Sequence, residues 1–158
     1  MIIEQQVKEA LIGTGFAYEI VPIDPTLSDT AAFCRQYGYA LEISANTLLL
    51  TTKSATKRFC ACIVLATTKL DGNRCVKGLM GGRVSFASAE EMVSTTGMEV
   101  GAVTPFGLKP EIPIYIDERV MVCEWIILGA GRRSEKIKVA PQAILKLPNT
   151  KVISGLAS

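Results

Sequence analysis

Two neighbouring runs fix the centre of this chain: Asn46-Thr47-Leu48-Leu49-Leu50-Thr51-Thr52 and Cys60-Ala61-Cys62-Ile63-Val64-Leu65-Ala66. Both have strand length and strand composition, and a polar stretch bearing Lys53, Lys57 and Arg58 joins them. They read as adjacent strands, paired antiparallel, inside a domain whose other elements must pack around them.

Those elements alternate helix and strand. Ile3, Val7 and Leu11 recur at helical spacing until Gly13 and Gly15 stop the pattern. Ala17 to Ile23 reads as a strand. Thr26, with Asp29 three residues on, predicts a capped helix through Ala31, Ala32, Cys34 and Arg35 that closes at Gly38. Asp71 is placed to cap a short helix through Val76 and Leu79, ended by Gly81-Gly82, and Arg83 to Ala87 is a short strand. Ser88-Ala89-Glu90-Glu91 is a capping box for a helix that Gly97 terminates. Ile112 to Asp117 and Met121 to Leu128 read as strands, as does Glu135 to Ala140 after the Gly129-Ala130-Gly131 turn. Pro141 suits the first position of a last helix through Ile144 and Leu147. The expectation is one mixed α/β domain over residues 1–158, without repeat or linker.

Composition narrows the function classes. With 158 residues and 49% apolar content, the chain can bury a core. A net charge of +2 is small for a dedicated phosphate binder. Five cysteines without CxxC spacing read as small buried hydrophobes of a reducing cytosol, and no apolar run is long enough for a membrane span. The chain has no histidine. Ser-His-Asp catalysis, Cys-His catalysis and His-ligated metals are therefore excluded.

The chemistry that is left lies in glycine turns and one carboxylate. Thr96 to Gly107 holds Gly97, Gly101 and Gly107 and a Thr104-Pro105 step. Glycine admits positive φ and close approach, and the Thr-Pro step restricts the threonine to extended conformations. Such a loop either presents N–H donors to a carbonyl or phosphate, or is a turn between helix and strand. Gly129 to Gly131, followed by Arg132, Arg133, Lys136 and Lys138, is either a hairpin turn with a solvated basic rim or a holder of phosphate; its spacing fits neither a dinucleotide fingerprint nor a P-loop. Asp117, at the end of Ile-Pro-Ile-Tyr-Ile-Asp, either caps a turn or binds a ligand amine.

In one order, Asn46-Thr47-Leu48, the T-G-x-x-x-G-x-x-T-P-x-G loop of Thr96 to Gly107, Ile114-Tyr115-Ile116-Asp117 and the Gly129–Gly131 turn resemble the YbaK/EbsC family. These are aminoacyl-tRNA editing domains related to the insertion domain of prolyl-tRNA synthetase. The likeness runs from the helix near Thr26 to the one at Pro141. It implies a largely antiparallel, barrel-like sheet flanked by helices. It also implies a trans-editing deacylase that hydrolyses the ester of a mischarged tRNA at the acceptor end, often tRNA(Pro), in the cytoplasm with no metal and no cofactor. Carried over by position, Gly101 and Ala102 approach the aminoacyl carbonyl, and Thr104-Pro105 shape the pocket. Asp117 lies near the amino acid or ribose, with Thr47, Gly129 and Gly131 completing the wall. The expected partners are the mischarged aminoacyl-tRNA and a prolyl-tRNA synthetase or elongation factor, and the chain is a monomer or a dimer.

One position departs from the family pattern. The lysine of the family's K-T-L is Asn46 here, which keeps hydrogen-bonding capacity and loses the charge. Ala102 likewise stands where the family often has a second glycine. Either Lys53, Lys69 or Arg132 takes over the grip on substrate, or the chain binds an aminoacyl-adenosine or acceptor end without hydrolysing it.

Overall fold

In the computed structural model, which describes residues 2–158, the two central runs form a hairpin. Strand β2 (Ala45–Thr52) pairs antiparallel with β3 (Phe59–Leu65), with Asn46 opposite Val64 and Leu49 opposite Ala61. On its other edge β2 carries β4 (Val84–Phe86), again antiparallel. Beyond β3 come β5 (Ile114–Asp117) and β8 (Thr150–Ile153), both parallel, which gives the order β4-β2-β3-β5-β8. A second sheet, β1-β7-β6, is antiparallel throughout; its strands are β1 (Tyr18–Pro22), β6 (Ile126–Gly129) and β7 (Glu135–Val139). A parallel bridge between Ser44 and Ile127 joins the two sheets, and no closed barrel forms.

The antiparallel expectation therefore holds for β1-β7-β6, for β2 with β3 and for β2 with β4, and fails where β5 joins β3 and β8. The chain between β3 and β5 contains two helices and a strand, long enough to bring β5 back in the same direction as β3. The neighbour of β3 in space is thus not its neighbour in sequence.

Helix α1 (Ile3–Gly13) buries Val7 and Leu11. Helix α2 (Thr30–Tyr37) closes at Gly38, whose φ is 77°. Its cap is Asp29, which accepts the Ala32 N–H at 3.2 Å, and not Thr26. Thr26 sits in a separate one-turn 3-10 element that Asp24 caps. Asp71 caps a wide turn, Gly72–Val76, leading into α3 (Lys77–Met80), and Gly81 ends it. The Ser88–Glu91 capping box is complete at the start of α4 (Ala89–Thr96), which ends at Gly97. The strand expected from Met121 contracts to β6, because Glu118–Met121 turns into α5 and Val122 is 86% exposed with no strand to pair. Pro141–Lys146 is a 3-10 element with Pro141, Ala143 and Ile144 buried, and β8 follows it where no strand was expected.

Strand β3 is buried on both faces. Ala61, Ile63 and Leu65 enter a core with Leu11, Phe106, Leu128 and Ile137, between the sheets and α1. Cys60, Cys62 and Val64 point the other way, to Leu50, Met80 and Tyr115. All five cysteines are free thiols, and Cys34, Cys60 and Cys62 are buried. Among the described residues no helix is long and apolar enough to cross a membrane.

Candidate functional site

The glycine loop is built by its own backbone. Thr96 donates its hydroxyl to the Met92 carbonyl at 2.7 Å and accepts the Met98 N–H at 3.0 Å, which folds the chain back as α4 ends. A turn follows in which the Ala102 N–H donates to the Glu99 carbonyl at 3.0 Å, with Gly101 at φ 85°. The second glycine turn then locks onto the first. The Gly131 N–H donates to the Ala102 carbonyl at 2.7 Å, and the Glu99 N–H donates to the Gly131 carbonyl at 3.0 Å. Arg133 adds its own N–H to the Glu99 carboxylate at 2.8 Å. Gly129 is required by space: a Cβ there would lie 2.8 Å from the Val103 carbonyl oxygen and 2.9 Å from that of Ala102.

The zipped loops form one wall of a cavity of about 220 Å³. Gly101 and Val103 come from the loop, Gly129 from the end of β6, and Asn46 and Thr47 from the start of β2. Thr30 of α2 closes it on one side, and Met92 of α4 with Phe86, 65% exposed, on another. The Thr30 hydroxyl donates to Asn46 Oδ1 at 2.9 Å, which leaves the Asn46 amide hydrogens unengaged among the described residues. The Thr47 hydroxyl is buried with no hydrogen-bond partner. No carboxylate lines this cavity among the described residues.

Four of the expected site residues, Asn46, Thr47, Gly101 and Gly129, thus meet at one cavity. The others sit elsewhere. Ala102 is buried behind the wall, and its N–H and carbonyl are both spent on the loop, so it has no donor left for a substrate carbonyl. Thr104 is fully buried, with an unpartnered hydroxyl and its N–H donated to Met98 Sδ at 3.4 Å. Pro105 lines a different cavity with Gly107 and Ala10. Gly131 packs against Val7 and Ile3 of α1. Asp117 does not line the cavity. Its carboxylate is 0% exposed with no hydrogen bond of good geometry. Burial pushes its pKa up, against a weaker pull from the Ala157 and Arg119 backbone amides and the Arg119 charge.

None of the three cations expected to replace the lysine at position 46 reaches the cavity. Lys53 is at the far end of β2 and lines other cavities, and Lys69 pairs its backbone with Ser158. Arg132 is 2.8 Å from Glu4 in an ion pair. The cation that does line the cavity is Lys136 of β7, directly opposite Gly129 in the ladder. It is 8% exposed, with its ammonium 4.9 Å from the centre of the Phe33 ring, and burial pulls its pKa down. In the alternating run Glu-Lys-Ile-Lys-Val, the lysines occupy the face opposite Ile137 and Val139, which the sequence leaves as either a solvated rim or a holder of phosphate. Only the packing of α2 across that face, through Phe33, encloses Lys136.

The sequence profile of the aminoacyl-tRNA editing domain family matches residues 24–147. A protein of Enterococcus faecalis named "Putative Cys-tRNA(Pro)/Cys-tRNA(Cys) deacylase EbsC" is 31% identical over 87 residues, 55% of this chain and 53% of that protein. The chain spans about half the length of the curated relatives it matches. Among solved structures, the hypothetical protein APE2540 superposes with a TM-score of 0.85 at 23% identity, over 97% of this chain and 99% of the other. A structure described as a "putative trans-editing enzyme for prolyl tRNA synthetase" gives 0.81 at 21% identity, over 96% and 95%. At these identities the superpositions show a common fold.

Proposed function

The chain belongs to the aminoacyl-tRNA editing domain family, and from that membership we propose that it is a deacylase hydrolysing the ester between a wrong amino acid and the 3′-terminal adenosine of a tRNA. The whole chain serves as one such domain. The observation that carries the reading is the cavity itself: the glycine loop and the start of β2 face each other across about 220 Å³ lined by donors and no carboxylate. An acceptor-rich ester fits such a lining.

In this reading the Gly101 N–H, which has no partner among the described residues, and the Asn46 amide hold the ester carbonyl. Water adds to the carbonyl carbon, the ester C–O bond breaks, and the proton released by water ends on the ribose oxygen. An aminoacyl ester is already activated and has a vicinal hydroxyl beside it, so positioning and oxyanion stabilisation suffice without a strong nucleophile, metal or cofactor. Thr47 and Gly129 shape the wall; Ala102, Thr104, Pro105 and Gly131 hold the loop behind it. The cavity's size sets selectivity, since excluding a larger cognate side chain is easier than favouring a smaller one. The names of the relatives make tRNA(Pro) the first tRNA to test. With 17 basic and 15 acidic residues the chain grips few phosphates, and recruitment by a prolyl-tRNA synthetase or elongation factor in the cytoplasm would compensate.

A second reading, binding of an aminoacyl-adenosine or acceptor end without hydrolysis, is favoured by Asn46, whose oxygen is occupied by Thr30. A deacylation assay over a panel of mischarged tRNAs separates the two. Hydrolysis of at least one ester above background supports the deacylase. No hydrolysis, with retention or protection of one charged tRNA, selects the binding reading.

A further inference from the structure

We propose that Lys136 is the residue of this pocket that grips an anionic oxygen of the substrate, either the phosphate next to the terminal adenosine or the oxyanion that forms on the ester. The inference rests on the reading of the cavity as the site for an aminoacyl-tRNA end. Its basis is geometric. Lys136 is more than nine-tenths buried, lines the cavity, and makes no hydrogen bond or ion pair among the described residues; the face of Phe33 is its neighbour. The other cations of the same run are engaged: Arg132 with Glu4, Arg133 with Ser28 and the Pro25 carbonyl, and Lys138 over Trp125 at 3.9 Å.

A lysine whose side chain is mostly covered, with no counter-charge at its ammonium, bears a desolvation cost that is not fully offset. Burial lowers the Lys136 pKa accordingly, and Cys34 and Asp29 oppose that only in part. An anionic ligand would supply the missing partner. At the cavity the Asn46 amide and the Gly101 N–H add donors around it, which suits oxygen acceptors and disfavours an amine. Lys136 also faces the cavity that Asn46 lines, so the charge missing from β2 enters the same space from β7, across α2.

The test compares wild type with Lys136→Met and Lys136→Arg on two substrates. One is an acceptor-stem RNA charged with an amino acid that the wild type removes; the other is the corresponding aminoacyl-adenosine, which lacks the phosphate. If Lys136 holds the phosphate, Lys136→Met raises KM for the RNA about tenfold or more and leaves aminoacyl-adenosine hydrolysis unchanged. If it holds the oxyanion, kcat falls about 100-fold on both substrates. Partial activity in Lys136→Arg, and recovery when Asn46→Lys is added to Lys136→Met, further support a charge role. Rates within twofold of wild type for Lys136→Met on both substrates overturn the proposal. If that variant fails to fold, Lys136→Arg and the pH dependence of wild-type binding to uncharged acceptor RNA decide: a loss of affinity centred below the ordinary lysine range supports it, and none refutes it. If the wild type hydrolyses no ester, the deacylase reading fails by itself. Lys136 is then tested on binding of the uncharged RNA, where a tenfold loss in Lys136→Met supports the grip and equal affinity refutes it. Absence of both hydrolysis and RNA binding overturns both.

Discussion

Single atoms decide several properties of this site. Gly129 and Gly101 are both glycine for different reasons, and substitution separates them. At Gly129 a Cβ meets backbone carbonyls that have no rotamer to yield, so Gly129→Ala is expected to lose about 1–3 kcal/mol and to displace the loop. At Gly101 the added Cβ meets nothing, and only the positive φ of 85° is penalised, at about 1–2 kcal/mol. Urea unfolding gives both costs, and the loss of deacylation should be deeper in Gly129→Ala than in Gly101→Ala at matched stability. Asp117 yields a different prediction. Its folded pKa is raised above its unfolded value, so the folded state holds the proton more tightly. Stability tied to that proton is present at low pH and is lost as pH rises through the folded value. Asp117→Asn removes this titration. The variant should gain on wild type in urea midpoint as pH is raised from about 4 toward neutrality, while deacylation at matched stability stays near wild type. A flat difference across pH would contradict the burial argument.

At the scale of elements, the site depends on how α4 begins and how β7 is covered. Ser88 accepts the Glu91 N–H at 3.1 Å, and the Glu91 carboxylate accepts the Ser88 N–H at 3.0 Å. Ser88→Ala should therefore cost about 1 kcal/mol, seen as a lower melting temperature. Because α4 places Met92 on the cavity and leads into the loop, the variant should also raise KM more than it lowers kcat. The covering of β7 bears on position 46. Asn46→Lys alone puts a second ammonium into a cavity that already contains Lys136. Like charges in a small, partly desolvated space repel. This single change is expected to leave deacylation unchanged or to lower it.

For the whole molecule, the small net charge of +2 hides an uneven distribution. Lys53, Lys77 and Arg83 line one cavity where β2 ends and β4 begins, and none is ion-paired among the described residues. The candidate cavity lies along the same two strands, at Asn46 and Phe86. A tRNA end in that cavity would bring acceptor-stem phosphates toward this basic corner. With about three phosphates neutralised, affinity should fall roughly 20- to 40-fold between about 50 and 200 mM salt. Lys53→Glu combined with Arg83→Glu should flatten that salt slope in an RNA-binding titration and leave hydrolysis of an aminoacyl-adenosine intact.

Local chemistry sufficed for much of this protein. The central hairpin, the Ser88 capping box, the glycine stops at Gly38, Gly81 and Gly97, and the loop motif follow from backbone preferences and periodicity within a few residues of chain. The resemblance to the editing family, and not those signals, named Asn46, Thr47, Gly101 and Gly129 as residues of one site, and the four line one cavity. What the sequence left open depends on distant contacts. The parallel pairing of β5 with β3 and the strand β8 arise only when long connections close. Ala102 turned from a donor into a strut because its N–H and carbonyl found Glu99 and Gly131. Lys136, which the sequence left as part of either a solvated rim or a holder of phosphate, lines the pocket because α2 folds over β7. Alternation along a strand tells which residues share a face, but the element that packs there decides whether that face is wet or buried.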